Sequence, residues 1–226
     1  MHARLLLAAA ISAVVLHESC RADVLLFGQM PVDQLSSLNS QFTGGSEMRR
    51  TADDFWLPTG NTNPYAISRV TGYMHSSLGA ADPSRYGVEI YADAGGAPGA
   101  MLLQRIGASR LEDRGWAPSN MRIVEAIFDV GFSAAAGQRY WVSVFGVDGT
   151  TGQTRFSTYN YGGATQGYTA RYQVGGGAWS PVETSAGSMY RDFAFGVYGA
   201  QLVPGPGAAG ALGLGIWGVA GRRRRR

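Results

Sequence analysis

Residues 23–201 predict an all-β fold, a single β-sandwich of the jelly-roll kind, on three observations. Short apolar or alternating runs recur along the stretch. Breaks rich in Gly, Pro, Asn and Asp separate them. No segment between the chain ends sustains a helical period. Many short strands with turns at this spacing favour two packed sheets.

The elements follow in order. Strands are predicted near 52–57, 65–74, 86–92, 101–106, 122–130, 139–147, 154–161, 168–174 and 190–198. Thr59-Gly60-Asn61, Gly95-Gly96-Ala97-Pro98-Gly99, Asp148-Gly149 and Gly175-Gly176-Gly177 punctuate them. Alternation assigns faces, because successive side chains on a strand point to opposite sides. Val88 and Ile90 point inward, with Glu89 and Tyr91 opposite. Val124, Ala126, Phe128 and Val130 share one face, with Glu125 and Asp129 on the other. Phe193, Phe195 and Val197 form a third inward set, and Glu112 and Asp113 fall in a loop. With no internal repeat and no linker before Gln201, one domain is the simplest account.

Composition removes whole classes of chemistry. All 19 basic residues are arginine, so no Schiff-base lysine, phosphate-loop lysine or Ser-x-x-Lys pair exists. The net charge of +3 comes from the C-terminal tail. Between Asp23 and Val203, 12 arginines face 15 acidic residues, a balance of −3 that argues against a nucleic-acid partner. The one cysteine, Cys20, lies in the N-terminal signal region, so a chain beginning at Asp23 has neither a disulfide nor a thiolate metal site.

The two ends read as addresses. Residues 1–22 form a secretory signal: Arg4 starts it, Leu5 to Leu16 is apolar, and Cys20-Arg21-Ala22 resembles a small-x-small cleavage site. A lipoprotein needs small or apolar residues just before Cys20, where His17 and Glu18 stand instead. At residues 202–226, Val203-Pro204-Gly205-Pro206 precedes an apolar stretch from Gly207 to Gly221. Arg222, Arg223, Arg224, Arg225 and Arg226 close the chain. Such arginines stay on the cytoplasmic side of a membrane, which places the domain outside it. The stretch has 15 residues, six of them glycine. As a helix it would span roughly 22 Å, short of a ~30 Å hydrocarbon core, which suits a transient anchor.

This three-part tail resembles the PEP-CTERM sorting signal, also met as an ice-binding-protein C-terminal segment, with Gly205 where that family usually has glutamate. The resemblance implies brief insertion in the inner membrane, cutting near the motif by an exosortase, and release to the cell surface or extracellular matrix. Asp53-Asp54-Phe55, the stretch from Val88 to Gly99, Tyr140-Trp141-Val142-Ser143-Val144 and Asp192-Phe193-Ala194-Phe195 also resemble a loose group of exported bacterial β-sandwich domains. That likeness implies architecture alone.

Within the domain, catalytic signals are thin. His75 is the sole histidine between the ends, and no Gly-x-Ser-x-Gly elbow accompanies it. Glu89, Glu125, Asp129, Glu112 and Asp113 are the carboxylates a polysaccharide hydrolase would pair, and solvated surface charge is their plainer reading. Asp53, Asp54, Asp93 and Asp192 offer hard oxygen ligands for a structural calcium ion, set against turn-capping aspartates. Of the many aromatics, Tyr159, Tyr161 and Trp179 are the candidates for stacking on sugar rings, core packing being the alternative. The expected protein is therefore non-catalytic, with weak polysaccharide contact. The alternative is a secreted hydrolase that works through carboxylates.

Overall fold

Alternation writes an apolar and a polar face onto each long strand, and burying the apolar faces needs a second sheet. The computed structural model of the chain describes residues 23–29, 37–39, 41–42, 49–60, 62–76, 82–116, 122–147, 154–159, 167–182 and 192–202. Residues 1–22, where a secretory signal is expected, Tyr161 and residues 203–226, where the sorting tail is expected, lie outside the described residues.

The described chain is an all-β sandwich. In order, β1 (Val24–Gln29), β2 (Ser37–Asn39), β3 (Gln41–Phe42), β4 (Arg49–Trp56) and β5 (Tyr65–Ser76) are followed by a 3₁₀ turn at Pro83–Arg85. Next come β6 (Tyr86–Asp93), β7 (Pro98–Ile106), β8 (Arg110–Trp116), β9 (Arg122–Ala134) and β10 (Arg139–Val147). The series closes with β11 (Thr154–Tyr159), β12 (Arg171–Val174), β13 (Ser180–Pro181), β14 (Asp192–Phe193) and β15 (Phe195–Gln201).

The first sheet runs β1-β15-β5-β9-β8, and β11, carrying β2 and β14, takes over beside β5 where β15 ends. The second runs β13-β12-β4-β10-β6-β7. Pairing is antiparallel except for a two-residue parallel contact of β3 with β10. Four ladders are nested: β6 with β7, β5 with β9, β4 with β10, β1 with β15. That nesting is a long hairpin rolled so that successive rungs fall in alternate sheets, which is the jelly roll.

The three inward sets meet between the sheets. Val88, Ile90, Val124, Phe128, Phe193, Phe195 and Val197 are fully buried there with Phe55, Met74, Val142 and Val144. The sheets approach tightly at Gly72, where a Cβ would lie 2.6 Å from Val144 Cγ2.

Two expectations change. Glu112 and Asp113 lie on β8, not in a loop, because paired charges hold this polar edge strand to β9. Arg110 and Arg114 bond Glu112 at 2.8 and 2.6 Å, and Arg122 meets Asp113. Glu89 and Glu125 point away from the core as expected, yet they are 2% and 5% exposed rather than solvated.

Candidate functional site

The polar face of the second sheet carries an aromatic and guanidinium array. Trp56 ends β4, and Arg139 and Trp141 open β10, whose register sets Arg139 against Trp56 and Trp141 against Asp54. Tyr168 arrives from the segment before β12 and stacks on Trp141 at 6.3 Å with the rings 4° from parallel. The Arg139 guanidinium lies 4.2 Å from the Tyr168 ring centre and 5.3 Å from that of Trp56, within cation-π range. Trp56 and Tyr168 remain 38% and 43% exposed.

Asp54 holds the array in place. Its carboxylate pairs with Arg139, and its Oδ1 accepts the Tyr168 N–H at 2.8 Å. Gly167 makes this approach feasible. Its φ is +101°, and a Cβ there would lie 2.4 Å from Asp54 Oδ2. Burial pushes the Asp54 carboxyl up to about 6, outweighing Arg139 and the hydrogen bonds that favour the charged form.

Trp179 packs edge-on against Tyr91 at 5.5 Å, beside Ala52 and Trp141, so it braces the sheet's polar face. Tyr159 ends β11, where its backbone pairs with Asp192; its side chain, like Tyr161, lies outside the described residues.

The four aspartates separate. Asp93 caps its turn, accepting the N–H groups of Gly95 and Gly96 at 3.2 and 3.1 Å and Trp141 Nε1–H at 2.8 Å. Asp54 faces outward to Arg139, while Asp53 turns inward. Only Asp53 and Asp192 come together, both fully buried. Asp53 accepts from Asp54 N at 2.8 Å and Phe193 N at 2.7 Å, which ties β4 of the second sheet to β14 of the first. With its amide turned to donate, Gln29 of β1 reaches Asp53 Oδ2 at 3.0 Å and the Phe193 carbonyl at 2.6 Å. Burial, then the charges of Asp192 and Asp54, hold the Asp53 carboxyl well above the usual carboxylate range. No group of three or more His, Cys, Asp or Glu side chains arranged to hold a metal occurs among the described residues.

The candidate hydrolase carboxylates divide between the sheets. Glu89, on the second sheet, takes Arg50 Nε–H at 3.0 Å, Tyr91 O–H at 2.6 Å and Gln104 at 2.7 Å. Glu112 and Glu125, on the first sheet, stand directly opposite each other and share Arg114. Asp129 is exposed on the same sheet, across from Arg69. His75 is 1% exposed within β5.

The polar face of the first sheet also holds a cavity of about 160 Å³ among Arg69, Thr71, Arg110, Glu112, Arg114, Glu125, Ile127 and Tyr198. Three cross-strand rows create it. Tyr198 and Arg69 form one row, with the guanidinium 4.2 Å from the ring centre. Tyr73, Glu125 and Glu112 form another with Arg114 above them. Burial and Glu125 push the Tyr73 hydroxyl up to about 12. The row between is short: Gly196, Thr71 and Ile127, ending at Arg110.

No family model matches this chain, and neither curated proteins nor solved structures show a significant likeness to it. Sequence reasoning passed over Trp56, Arg139, Arg69 and Thr71. Alternation places Arg69 and Thr71 on one polar face, but nothing in the residue order says that Gly196 of a strand 125 positions later lies beside Thr71.

Proposed function

We propose that this is an exported, exosortase-sorted, non-catalytic surface or extracellular-matrix protein whose sandwich makes weak contact with polysaccharide. The observation that carries the glycan contact is the array of Trp56, Arg139 and Tyr168. Two aromatic side chains, each more than a third exposed, flank a guanidinium held by Asp54. Aromatic surface covers the apolar face of a sugar ring, and an oriented guanidinium donates to its hydroxyls. A pre-set array loses little side-chain freedom on contact, which suits repeated weak binding along a polymer. The non-catalytic reading draws support from the outward glutamates, each engaged by arginine: Glu89 by Arg50, Glu112 and Glu125 by Arg114. The tail described above supports the sorting.

The test is retention of the full-length chain on immobilised extracellular polysaccharide from an exosortase-bearing bacterium. Trp56→Ala and Tyr168→Ala should each weaken retention about tenfold, the equivalent of ~1.4 kcal/mol. Retention of both variants at wild-type strength removes the array from the reading. Release of reducing ends from the polymer by the wild-type chain replaces it with the hydrolase.

A further inference from the structure

We propose that the cavity on the first sheet is a second, separate binding site, and that it takes a sugar bearing a carboxylate, the uronic acid unit of an acidic polysaccharide. It shares no residue with the array of Trp56, Arg139 and Tyr168, and it stands on its own observations.

The first is an unmet donor. Thr71 is 2% exposed and lines the cavity, and its Oγ1 has no hydrogen-bond partner. Arg69 Nε, on the same wall, is also buried without a partner. Buried polar groups are nearly always hydrogen-bonded, because leaving one unmet costs the desolvation it has already undergone. Two such groups facing one polar cavity mark a place built to be filled. The second observation is the cavity of about 160 Å³ that both groups line. Gly196 pairs with Thr71 in register, and a Cβ there would press on Thr71 Oγ1 at 3.0 Å and on the Tyr198 ring at 2.9 Å, so glycine lets that ring lie close beside Thr71 at the cavity wall.

The lining states the ligand's chemistry. Arg110 and Arg114 are paired with Glu112 and Glu125, whereas Arg69, across from Asp129 on β9, makes no ion pair among the described residues, so an anionic group on the ligand would answer it. Stacking on Tyr198 holds the Arg69 fork in a fixed orientation, as recognition of a planar carboxylate requires. Glu112 supplies acceptors, which a bare anion cannot use but the ring hydroxyls of a sugar acid can. Arg110 and Arg114 are 63% and 45% exposed at their side chains, so the trough opens to solvent and admits one unit of a chain from the side. Its volume of about 160 Å³ suits a carboxylate and the edge of one ring.

The experiment is titration of the full-length chain with D-glucuronate, D-galacturonate, D-glucose and acetate, followed by NMR or calorimetry, in the wild type and in Thr71→Val, Arg69→Gln and Leu102→Ala. A uronate should bind in the millimolar range, with glucose and acetate at least tenfold weaker, and added salt should weaken it further. Thr71→Val keeps the side-chain shape and removes the buried hydroxyl. It should lower uronate affinity tenfold or more while leaving the melting temperature equal or higher, a combination that simple misfolding does not give. Arg69→Gln should weaken binding similarly, and Leu102→Ala, at an exposed position on the second sheet outside both sites, should not change it. Acetate binding as tightly as uronate overturns the sugar assignment. Absence of uronate binding, or uronate binding unaffected by Thr71→Val, overturns the site. Either result leaves retention through Trp56 and Tyr168 to stand or fall separately.

Discussion

Asp53 and Asp54 are neighbours in sequence with opposite tasks, because a strand sends adjacent side chains to opposite faces. Asp53 enters the interior and accepts two backbone N–H groups, from Asp54 and Phe193. Asp54 faces out and orders Arg139 and Tyr168. In both, burial raises the carboxyl above its ordinary value. A carboxyl whose folded pKa exceeds its unfolded value contributes stability that is whole below the unfolded value of 3.8 and is lost as pH rises through the folded one, near 6 for Asp54. The sandwich should therefore be more stable at pH 5 than at pH 8. A shift of about two units corresponds to roughly 3 kcal/mol as an upper bound for Asp54. Asp54→Asn retains an acceptor for Tyr168 N–H and removes the ionisation, so its loss between these two pH values should be smaller. Urea unfolding of both proteins at pH 5 and pH 8 measures the difference. Parallel pH profiles would show that Asp54 titrates as an ordinary surface carboxylate.

Strands with clear alternation were legible from the sequence, and strands whose stability comes from other sources were not. β10 is legible at its observed bounds, Arg139–Val147, because six of its nine residues are apolar or aromatic and Tyr140, Val142 and Val144 alternate into the core. β8 was missed because Arg110-Leu111-Glu112-Asp113-Arg114-Gly115-Trp116 has almost no apolar period, and its stability comes from charges on its own and the next strand. β1 was missed because Val24-Leu25-Leu26-Phe27 is a continuous apolar run directly after the expected signal, with no alternation to give it away. The candidate site was less legible than the fold, since its parts come from β4, β10 and the segment before β12 and meet only through register. The contact of β5 with β10 across the core tests the packing at this scale. Gly72→Ala would thrust a methyl to within 2.6 Å of Val144 and should cost about 1–3 kcal/mol. Val144→Ala leaves a cavity and should cost roughly 2 kcal/mol. In the double variant the added methyl occupies the vacated space, so the combined loss should fall short of the sum by at least ~0.5 kcal/mol. Strict additivity in denaturant titrations would mean that the two sheets do not meet at this point.

For the whole molecule, the proposed function divides the work: the tail would set the destination, and the sandwich would set what is met there. The sorting proposal is sharpest at Arg222–Arg226, because on that reading these charges would fix the orientation of a short apolar segment. Carrying one arginine to the middle of a membrane costs roughly 2.5–3.5 kcal/mol on insertion scales, and five together oppose translocation strongly. Without them, the 15-residue segment with its six glycines has little to hold it, and the precursor should pass through the membrane uncut. Gly205→Glu should instead improve processing, since it rebuilds the motif that the sorting peptidase is expected to read. Mass measurement of the exported chain in one host with an exosortase and one without distinguishes these cases. The proposal expects a cut near Val203-Pro204-Gly205-Pro206 only in the first host, and loss of that cut when Arg222–Arg226 are removed. Equal processing in the two hosts, or processing indifferent to the arginines, would make the tail a plain membrane anchor and leave the sandwich tethered to the inner membrane instead of released into the matrix.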